Sequence, residues 1–316
     1  MTQAPNPRVP MAAARDLSRY AWLSLAAALV VFVIKLIAWQ MTDSVGLLSD
    51  AMESTVNILA AVIALIALRT VRRPPDAQHH FGHGKAEYFS ALVEGVMILV
   101  AAALIIWTAV DRLRNPVALE DLGPGLAISG LSSVINAVVA MVLIRAGRAH
   151  RSLVLVADGK HILTDVWTSL GVLVGVGLVA VTGWLRLDPI IAIIVACNII
   201  WTGIGLVRES TSGLMDRALP QEEHDQIVEV LRRYTSDDVQ FHALQTRGAG
   251  QFRFASVHVL VPGAWSVQQG HDLVEQIELT VASELPGMVL TTHLEPIEDP
   301  ASWDDVHEGR HQAPGM

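Results

Sequence analysis

Apolar residues run along the first two-thirds of the chain in six long stretches that short polar segments separate. An α-helix rises about 1.5 Å per residue and the hydrocarbon core of a bilayer is about 30 Å thick, so about 20 apolar residues are enough to cross it. The pattern therefore predicts six membrane-spanning helices, which run approximately over Tyr20–Trp39, Val45–Leu68, Tyr88–Val110, Leu126–Ile144, Leu153–Val181 and Pro189–Val207.

After Asp216 the pattern changes to that of a small α/β domain. Helical spacing marks PQEEHDQIVEVLRRYTS and SVQQGHDLVEQIELTVASEL, and the second helix opens with a capping box of Ser266 and Gln269. Strands are predicted for VQFHALQTR, FRFASVHVLV and MVLTTHLEP, with a Gly-Ala-Gly turn between the first two. We therefore predict an N-terminal tail over 1–19, a six-span domain over 20–215, an αββαβ domain over 216–300 and a disordered tail over 301–316.

Composition supports an α-helical membrane protein. The 316 residues are 52% hydrophobic and 17% charged, and the mean hydropathy is +0.44, which is too apolar for an ordinary soluble domain. The single cysteine, Cys197, excludes an internal disulfide. No basic stripe indicates nucleic acid as a partner, and the first 20 residues lack the apolar core of a cleavable signal peptide.

Lysine and arginine in the loops predict the orientation. The first loop has neither residue. The third loop, which would face the same side, contains Arg112 and Arg114 and is the exception to the pattern. Basic residues otherwise gather in the N-terminal tail and in the second and fourth loops, at Arg8, Arg15, Arg19, Arg72, Arg73, Lys85, Arg148 and Arg151. Because positive charge accumulates on the cytoplasmic side, we predict a multi-pass protein of the cell membrane with both termini in the cytoplasm.

Two of the predicted spans carry polar residues in the same rhythm. DAMESTVN places Asp50, Glu53 and Asn57 on one face of the second span, and DGKHILTD places Asp158, His161 and Asp165 on one face of the fifth. A single buried polar residue often only joins two helices by a hydrogen bond. Matched stripes with ionisable groups are more typical of an ion or proton pathway.

The combined stripe offers a set of metal ligands. Glu53, Asn57, His161 and Asp165 supply two carboxylates, an amide oxygen and an imidazole, which suit a divalent transition metal. Protons and a metal ion compete for such ligands, so alternate binding at a site that opens to each side in turn couples the movement of metal to that of protons. Asp50 and Asp158 lie one turn away, where they either line the pathway or only cap and join helices.

With these motifs the sequence resembles the cation diffusion facilitators, and in particular the bacterial zinc and iron efflux members. The resemblance rests on the Glu53–Asn57 and His161–Asp165 pairs and on HHFGHGKAEYFSALVEG from His79 to Gly95, and it covers most of the chain. It implies a homodimer in the bacterial inner membrane with a metallochaperone-like cytoplasmic domain. It also implies export of a divalent cation in exchange for protons.

One departure from the family concerns the metal. The usual second-span pair is Asp-Asp or His-Asp, whereas this chain has Glu53 and Asn57. With both carboxylates ionised and His161 neutral, a bound dication leaves the site formally neutral, which lowers the cost of burial. Zinc is the expected substrate, and an oxygen-rich site also suits Fe(II), Co(II), Mn(II) or Cd(II).

The resemblance implies further sites in the cytoplasmic parts. One is a loop metal site of Asp76, His79 and His83, and another is a salt bridge at the dimer interface between Lys85 and Asp216. A binuclear site in the terminal domain would use His242, His258, His271, His293 and Glu295. Metal would then be a structural or regulatory ligand as well as the substrate. The alternative for each cluster is an ordinary polar surface.

Other functional classes fit less well. An intramembrane metalloprotease needs a general base beside the metal, as in HExxH, and this motif is absent from the chain. A channel needs a continuous polar face, whereas these spans are polar at one level. A membrane-bound metal sensor without transport remains the alternative, although it assigns no role to the polar stripes. We therefore predict a transporter and not an enzyme.

Overall fold

The computed structural model describes residues 15–42, 45–115 and 123–304, and these form two compact units. The first unit runs from Arg15 to Leu214 and the second begins at Met215. The helices of the first unit are α1 (Ser18–Thr42), α2 (Val45–Val71), α3 (Ala86–Arg114), α4 (Gly123–His150), α5 (Leu153–Thr182) and α6 (Leu187–Leu214).

The first unit has the six helices that the hydropathy pattern predicts. Five of them are long and apolar enough to cross a membrane. The other, α5, has 30 residues and carries Asp158, Lys160 and Asp165 in its first half. Large apolar side chains face outwards, as they do in a lipid environment: Trp107 is 79% exposed and Trp201 is 81% exposed.

Small residues allow the helices of this unit to approach closely. A Cβ atom on Gly213 of α6 would overlap the ring of Tyr88 on α3. A Cβ atom on Gly159 of α5 would lie 2.7 Å from Ile144 Cγ1 and 3.1 Å from the carbonyl oxygen of Ala140, both on α4. Close backbone contact through small residues is the usual way in which membrane helices associate.

A buried glutamate fixes the start of α5. The N-cap residue Ser152 makes no side-chain capping bond. Instead, the backbone N–H of Leu153 donates to Glu87 Oε2 at 2.7 Å, and Glu87, near the start of α3, is fully buried. A carboxylate at a helix N-terminus satisfies an otherwise unpaired N–H group and interacts favourably with the helix dipole. This bond therefore ties the first turn of α5 to the first turn of α3.

The second unit is the predicted αββαβ domain. It contains α7 (Gln221–Arg232), β1 (Gln240–Ala249), β2 (Phe252–Val261), α8 (Val267–Glu284) and β3 (Met288–Pro296). β2 pairs with β1 in the antiparallel sense and with β3 in the parallel sense, in the order β1-β2-β3. The capping box of Ser266 and Gln269 is present. Residues from both helices and all three strands share one apolar core, which includes Ile227, Val257, Val259, Ile277 and Leu290.

β1 contains an irregularity that the sequence analysis did not anticipate. Its pairing with β2 shifts between His242 and Gln245, and Ala243 has a φ of 52°. Because of this bulge, Phe241 and Leu244 both pack against the core although they are three residues apart. His242 is thereby left on the opposite face of the sheet.

The predicted start of the C-terminal tail needs a correction. Residues Pro300–Trp303 form a short 3-10 helix, in which Ser302 is buried and donates to the carbonyl oxygen of Pro296 at 2.8 Å. Trp303 Nε1 donates to the carbonyl oxygen of Ile297 at 3.0 Å. These bonds hold the chain beyond residue 301 against the domain. The remaining tail, and the first 14 residues of the N-terminal tail, lie outside the described residues.

Candidate metal sites

Three of the four predicted transport ligands lie side by side between α2 and α5. Asn57 Nδ2 donates to Asp165 Oδ2, and Asn57 Oδ1 lies 3.0 Å from His161 Nε2. Since Asn57 Oδ1 can only accept, His161 Nε2 donates in this arrangement. Asn57 is 8% exposed and His161 is 4% exposed. An amide oxygen, an imidazole and a carboxylate thus converge in the interior of the bundle.

The other residues of the two stripes belong to the same helices. Glu53 and Asp50 lie on α2, four and seven residues before Asn57, but their side chains are outside the described part of the structure. Asp158 lies on α5, one turn before His161, and is fully buried. Within the described residues, neither carboxylate oxygen of Asp158 has a hydrogen-bond partner.

A small cavity adjoins Asn57 on the side of α1 and α4. Its polar lining consists of Ser24, Ser54, Asn57 and Asn136, and its apolar lining comes from Ala27, Ala28, Val31 and Ile162. Four polar side chains around one cavity provide enough partners for an ordered water molecule. The candidate site therefore borders a polar space inside the bundle.

The loop between α2 and α3 brings together Asp76, His79 and His83. Their ligand atoms all lie within 4.8 Å of one another, a geometry that could hold a metal ion. The His79 Nδ1 atom is 3.2 Å from Asp76 Oδ1, and His83 Nε2 is 3.4 Å from Asp76 Oδ2. Asp76 and His79 are exposed, whereas His83 is partly buried.

Backbone hydrogen bonds fix the carboxylate of this loop. Asp76 Oδ1 accepts from the N–H groups of Gln78 at 2.8 Å and His79 at 2.7 Å, as in an Asx-turn. These two bonds, with a smaller contribution from the His79 side chain, lower the pKa of Asp76 below its ordinary value of 3.8. The carboxylate is therefore ionised at neutral pH and oriented before any metal ion binds.

The second unit carries a histidine cluster on the open face of its sheet. His242, His258 and His293 occupy directly paired positions on β1, β2 and β3. Glu295 Oε2 lies 3.0 Å from His242 Nε2 and 3.1 Å from His258 Nδ1, and Glu295 Oε1 lies 3.4 Å from His293 Nε2. One carboxylate thus contacts three imidazoles, and His242, His258 and Glu295 meet the geometry for a metal ion.

The structure does not bring every predicted residue into a cluster. His271 lies on α8, is exposed, and is 3.9 Å from Glu275 on the next turn; it is not in the group formed by the described residues around Glu295. Lys85 Nζ donates to the carbonyl oxygen of Leu214 at 3.1 Å, within the first unit. Asp216 accepts from Arg247 at 3.1 Å, within the second. The predicted Lys85–Asp216 pair stays a prediction.

Two buried glutamates of α3 were missed by the sequence analysis. Glu87 and Glu94 lie within the stretch His79–Gly95 that carries the family resemblance, and both are fully buried. Their spacing of seven residues places them on one face of the helix. This spacing was the sequence signal that both side chains point to the same side. Glu87 binds the start of α5, and Glu94 accepts from Ser90 Oγ at 3.3 Å.

Comparisons with known proteins agree with this architecture. A family model described as the cation efflux transmembrane domain matches residues 21–215, and one described as the cytoplasmic domain of cation efflux proteins matches residues 219–297. An uncharacterized transporter of Synechocystis sp. is 50% identical over 295 residues, which cover 93% of this chain and 95% of the relative. The cation-efflux pump FieF of Serratia proteamaculans is 31% identical over 297 residues, which cover 94% and 96%.

A solved structure is also similar in part. The metal-bound C-terminal domain of the CzcD transporter from Thermotoga maritima is 26% identical, with a TM-score of 0.24. The match covers 25% of this chain and 93% of that domain.

Proposed function

Because the chain belongs to the cation efflux family, we propose that it is a secondary transporter that exports divalent transition-metal ions from the cytoplasm in exchange for protons. The observation that carries this proposal is the contact of Asn57 with both His161 and Asp165 in the bundle interior. Buried ionisable groups inside a membrane bundle are costly and are typical of ion pathways.

In this mechanism each ligand has a distinct role. Asp165 and Glu53 supply the negative charge that offsets the dication, His161 supplies the imidazole nitrogen, and Asn57 supplies an amide oxygen. Asn57 also holds His161 and Asp165 in position, because its Nδ2 atom is bonded to Asp165 and its Oδ1 atom to His161. Little rearrangement of these side chains is then needed when the metal ion enters.

Proton exchange follows from competition for the same atoms. His161 Nε2 carries a proton in its bond to Asn57, so a metal ion can bind this nitrogen only after that proton has moved to Nδ1 or, if the ring is an imidazolium, has left it; protons on the carboxylates must leave as well. When the metal leaves towards the outside, protons from that side take its place on the imidazole and the carboxylates. When the site opens to the cytoplasm, incoming metal releases them. Zinc is the substrate that this ligand set favours, with Fe(II), Co(II), Mn(II) and Cd(II) as further candidates.

The cytoplasmic clusters suit a supporting role. We place metal ions at Asp76, His79 and His83, and at His242, His258, His293 and Glu295, where they would stabilise a homodimer and report the cytoplasmic metal level. This arrangement requires both termini in the cytoplasm. Metal sensing at these clusters is the second candidate function, since the Glu295 cluster is assembled without any residue of the transport site.

The test is zinc flux into proteoliposomes under an imposed pH gradient. We expect the wild type to move zinc with a proton counterflow, and Asp165→Ala to abolish the flux while the protein remains a folded dimer. Glu209→Ala, which removes an exposed carboxylate of α6, is the matched control and should keep wild-type flux. Wild-type flux in Asp165→Ala would refute the site assignment. A folded wild type that binds zinc but does not transport it would favour the sensor.

A further inference from the structure

A pair of carboxyl groups is buried next to the candidate transport site but is not part of it. Glu94 on α3 and Asp158 on α5 are both fully buried. The bond between Glu87 and Leu153 joins the first turns of the two helices, and Glu94 and Asp158 follow these residues by seven and five positions, about 10 and 8 Å along their helices. Glu94 Oε1 accepts from Ser90. Within the described part of the chain, Glu94 Oε2 and both oxygens of Asp158 have no hydrogen-bond partner.

Among the described residues, no cationic side chain is hydrogen-bonded to Glu94 or Asp158. Ser90 donates to Glu94 and Ser24 lies beside Asp158, and neither serine carries a charge. Two like charges next to each other in a medium of low dielectric constant are strongly unfavourable, so adjacent buried carboxyls share a proton. We therefore expect the two carboxyls to share a proton when no other cation is present.

The helices that pack around the pair offer few titratable neighbours. α6 packs against α3 at Gly95 with Val207 and Gly203, and α4 packs against α5 at Gly159 with Ile144 and Ala140. None of these titrates. The titratable residues nearest to the pair along α3 and α5 are Glu87, which is bonded to the start of α5, and then Lys160 and His161.

The pair is connected to the candidate transport site by polar groups. Ser24 lies beside Asp158 and also lines the cavity that contains Asn57 and Asn136. Measured along the axis of α5 from its first residue, Leu153, the positions are about 8 Å for Asp158, 12 Å for His161 and 18 Å for Asp165. The loop charges predict that α5 begins on the cytoplasmic side, and this orientation places the pair between the transport ligands and the cytoplasm.

We propose that Glu94 and Asp158 form a proton-release site, which takes protons from the transport ligands and passes them to the cytoplasm. This inference rests on the proposed exchange of metal for protons. The proton leaves His161 or a protonated carboxyl, crosses the cavity through water or the Ser24 hydroxyl, and binds a carboxylate oxygen of Asp158. One bond to hydrogen breaks and one O–H bond forms. The transport ligands are left deprotonated for the incoming metal ion.

A metal site is the less suitable assignment for the pair. Structural and catalytic zinc ions have about four ligands, of which the protein supplies at least three. The described residues around the pair add only the hydroxyl groups of Ser24 and Ser90 to the two carboxyls. A proton needs only one oxygen and is small enough for a fully enclosed position.

The test compares Glu94→Gln, Asp158→Asn and the exposed matched control Glu209→Gln in full-length protein. Zinc and proton fluxes are measured in proteoliposomes over a range of cytoplasmic-side pH, and zinc binding is measured by calorimetry in detergent. We expect both pair variants to lower coupled flux about tenfold or more and to flatten its dependence on cytoplasmic-side pH. Their zinc stoichiometry and affinity should stay close to those of the wild type, and Glu209→Gln should behave as the wild type throughout.

The possible outcomes separate this inference from the proposed function. Wild-type fluxes and pH profiles in both pair variants, with exchange intact in the wild type, would overturn the proton-release site alone. Loss of one bound zinc in either variant would show that the pair is a metal site. Zinc transport by the wild type without proton counterflow would overturn the proposed exchange itself, and the release site with it.

Discussion

Replacement of Asn57 by aspartate gives a quantitative test of the transport site. Asn57 Nδ2 is hydrogen-bonded to Asp165 Oδ2, so Asn57→Asp puts a second carboxylate oxygen roughly 3 Å from the first. At that distance two unit charges repel by about 5.5 kcal/mol if the effective dielectric constant is about 20. Because about 1.4 kcal/mol is a factor of ten in an equilibrium constant, the repulsion favours one retained proton by about four powers of ten. The empty variant should therefore hold about one more proton than the wild type at neutral pH.

Metal binding must displace this proton. We expect Asn57→Asp to release about one more proton per zinc than the wild type, and its zinc affinity to rise more steeply with pH. The assay is calorimetry of the detergent-purified protein in buffers with different ionisation enthalpies. Asn136→Asp is the matched control, since Asn136 is a buried amide of the same cavity with no bond to Asp165 among the described contacts. Equal proton release from the wild type and Asn57→Asp would remove Asn57 from the ligand set and direct attention to Asp50.

Three further predictions concern the loop, the cytoplasmic domain and the helix packing. Since the lowered pKa of Asp76 keeps its carboxylate ionised at neutral pH, Asp76→Asn should weaken zinc binding at the loop on the order of tenfold or more at about pH 7.5; an unchanged affinity would remove Asp76 from this site. A fragment of residues 216–304, whose apolar core is its own, should be a soluble dimer, and Glu295→Gln should weaken its zinc affinity on the order of tenfold or more. His224→Ala, outside the cluster, is the control, and an unchanged affinity in Glu295→Gln would make the histidines surface residues. Gly213→Ala should lower the stability of the detergent-solubilised protein by about 1–3 kcal/mol in thermal unfolding, because the added methyl group overlaps Tyr88. Gly205→Ala is the control, because a Cβ atom at Gly205 would have no heavy atom within 4 Å. Equal losses of stability in Gly213→Ala and Gly205→Ala would refute the packing argument.

Periodicity was sufficient to predict the elements but not all of their ends. Each predicted span lies almost wholly within one helix, and the last strand begins and ends as predicted at Met288 and Pro296. Some helices continue past the apolar stretch: α3 runs to Arg114 and α4 to His150. The length of an apolar stretch reflects the thickness of the hydrocarbon layer that it crosses. A helix can continue beyond that layer as long as its backbone hydrogen bonds continue.

The parts that the sequence did not reveal depend on contacts between distant residues. The bulge at Ala243 follows from the packing of Phe241 and Leu244 on one core, and a strand pattern alone does not fix which residue is extra. Glu94 lies 64 residues before Asp158 along the chain, so their proximity is visible only when α3 and α5 are packed together. The contact of Asn57 with the fifth helix, in contrast, was expected because both stripes showed the same spacing.

The bond between Glu87 and the start of α5 has a consequence for selectivity. Leu153, held by Glu87, precedes His161 and Asp165 by about two and three turns of the same rigid helix. An α-helix turns by about 100° per residue. A rotation of α5 about its axis by that angle would carry His161 and Asp165 away from Asn57, and the bond from Leu153 N–H to Glu87 opposes this rotation at the first turn of α5. If His161 and Asp165 bind the metal as proposed, Glu87 controls their orientation from a distance, and we expect a change at this position to alter the ranking of metals before it alters the overall rate of transport.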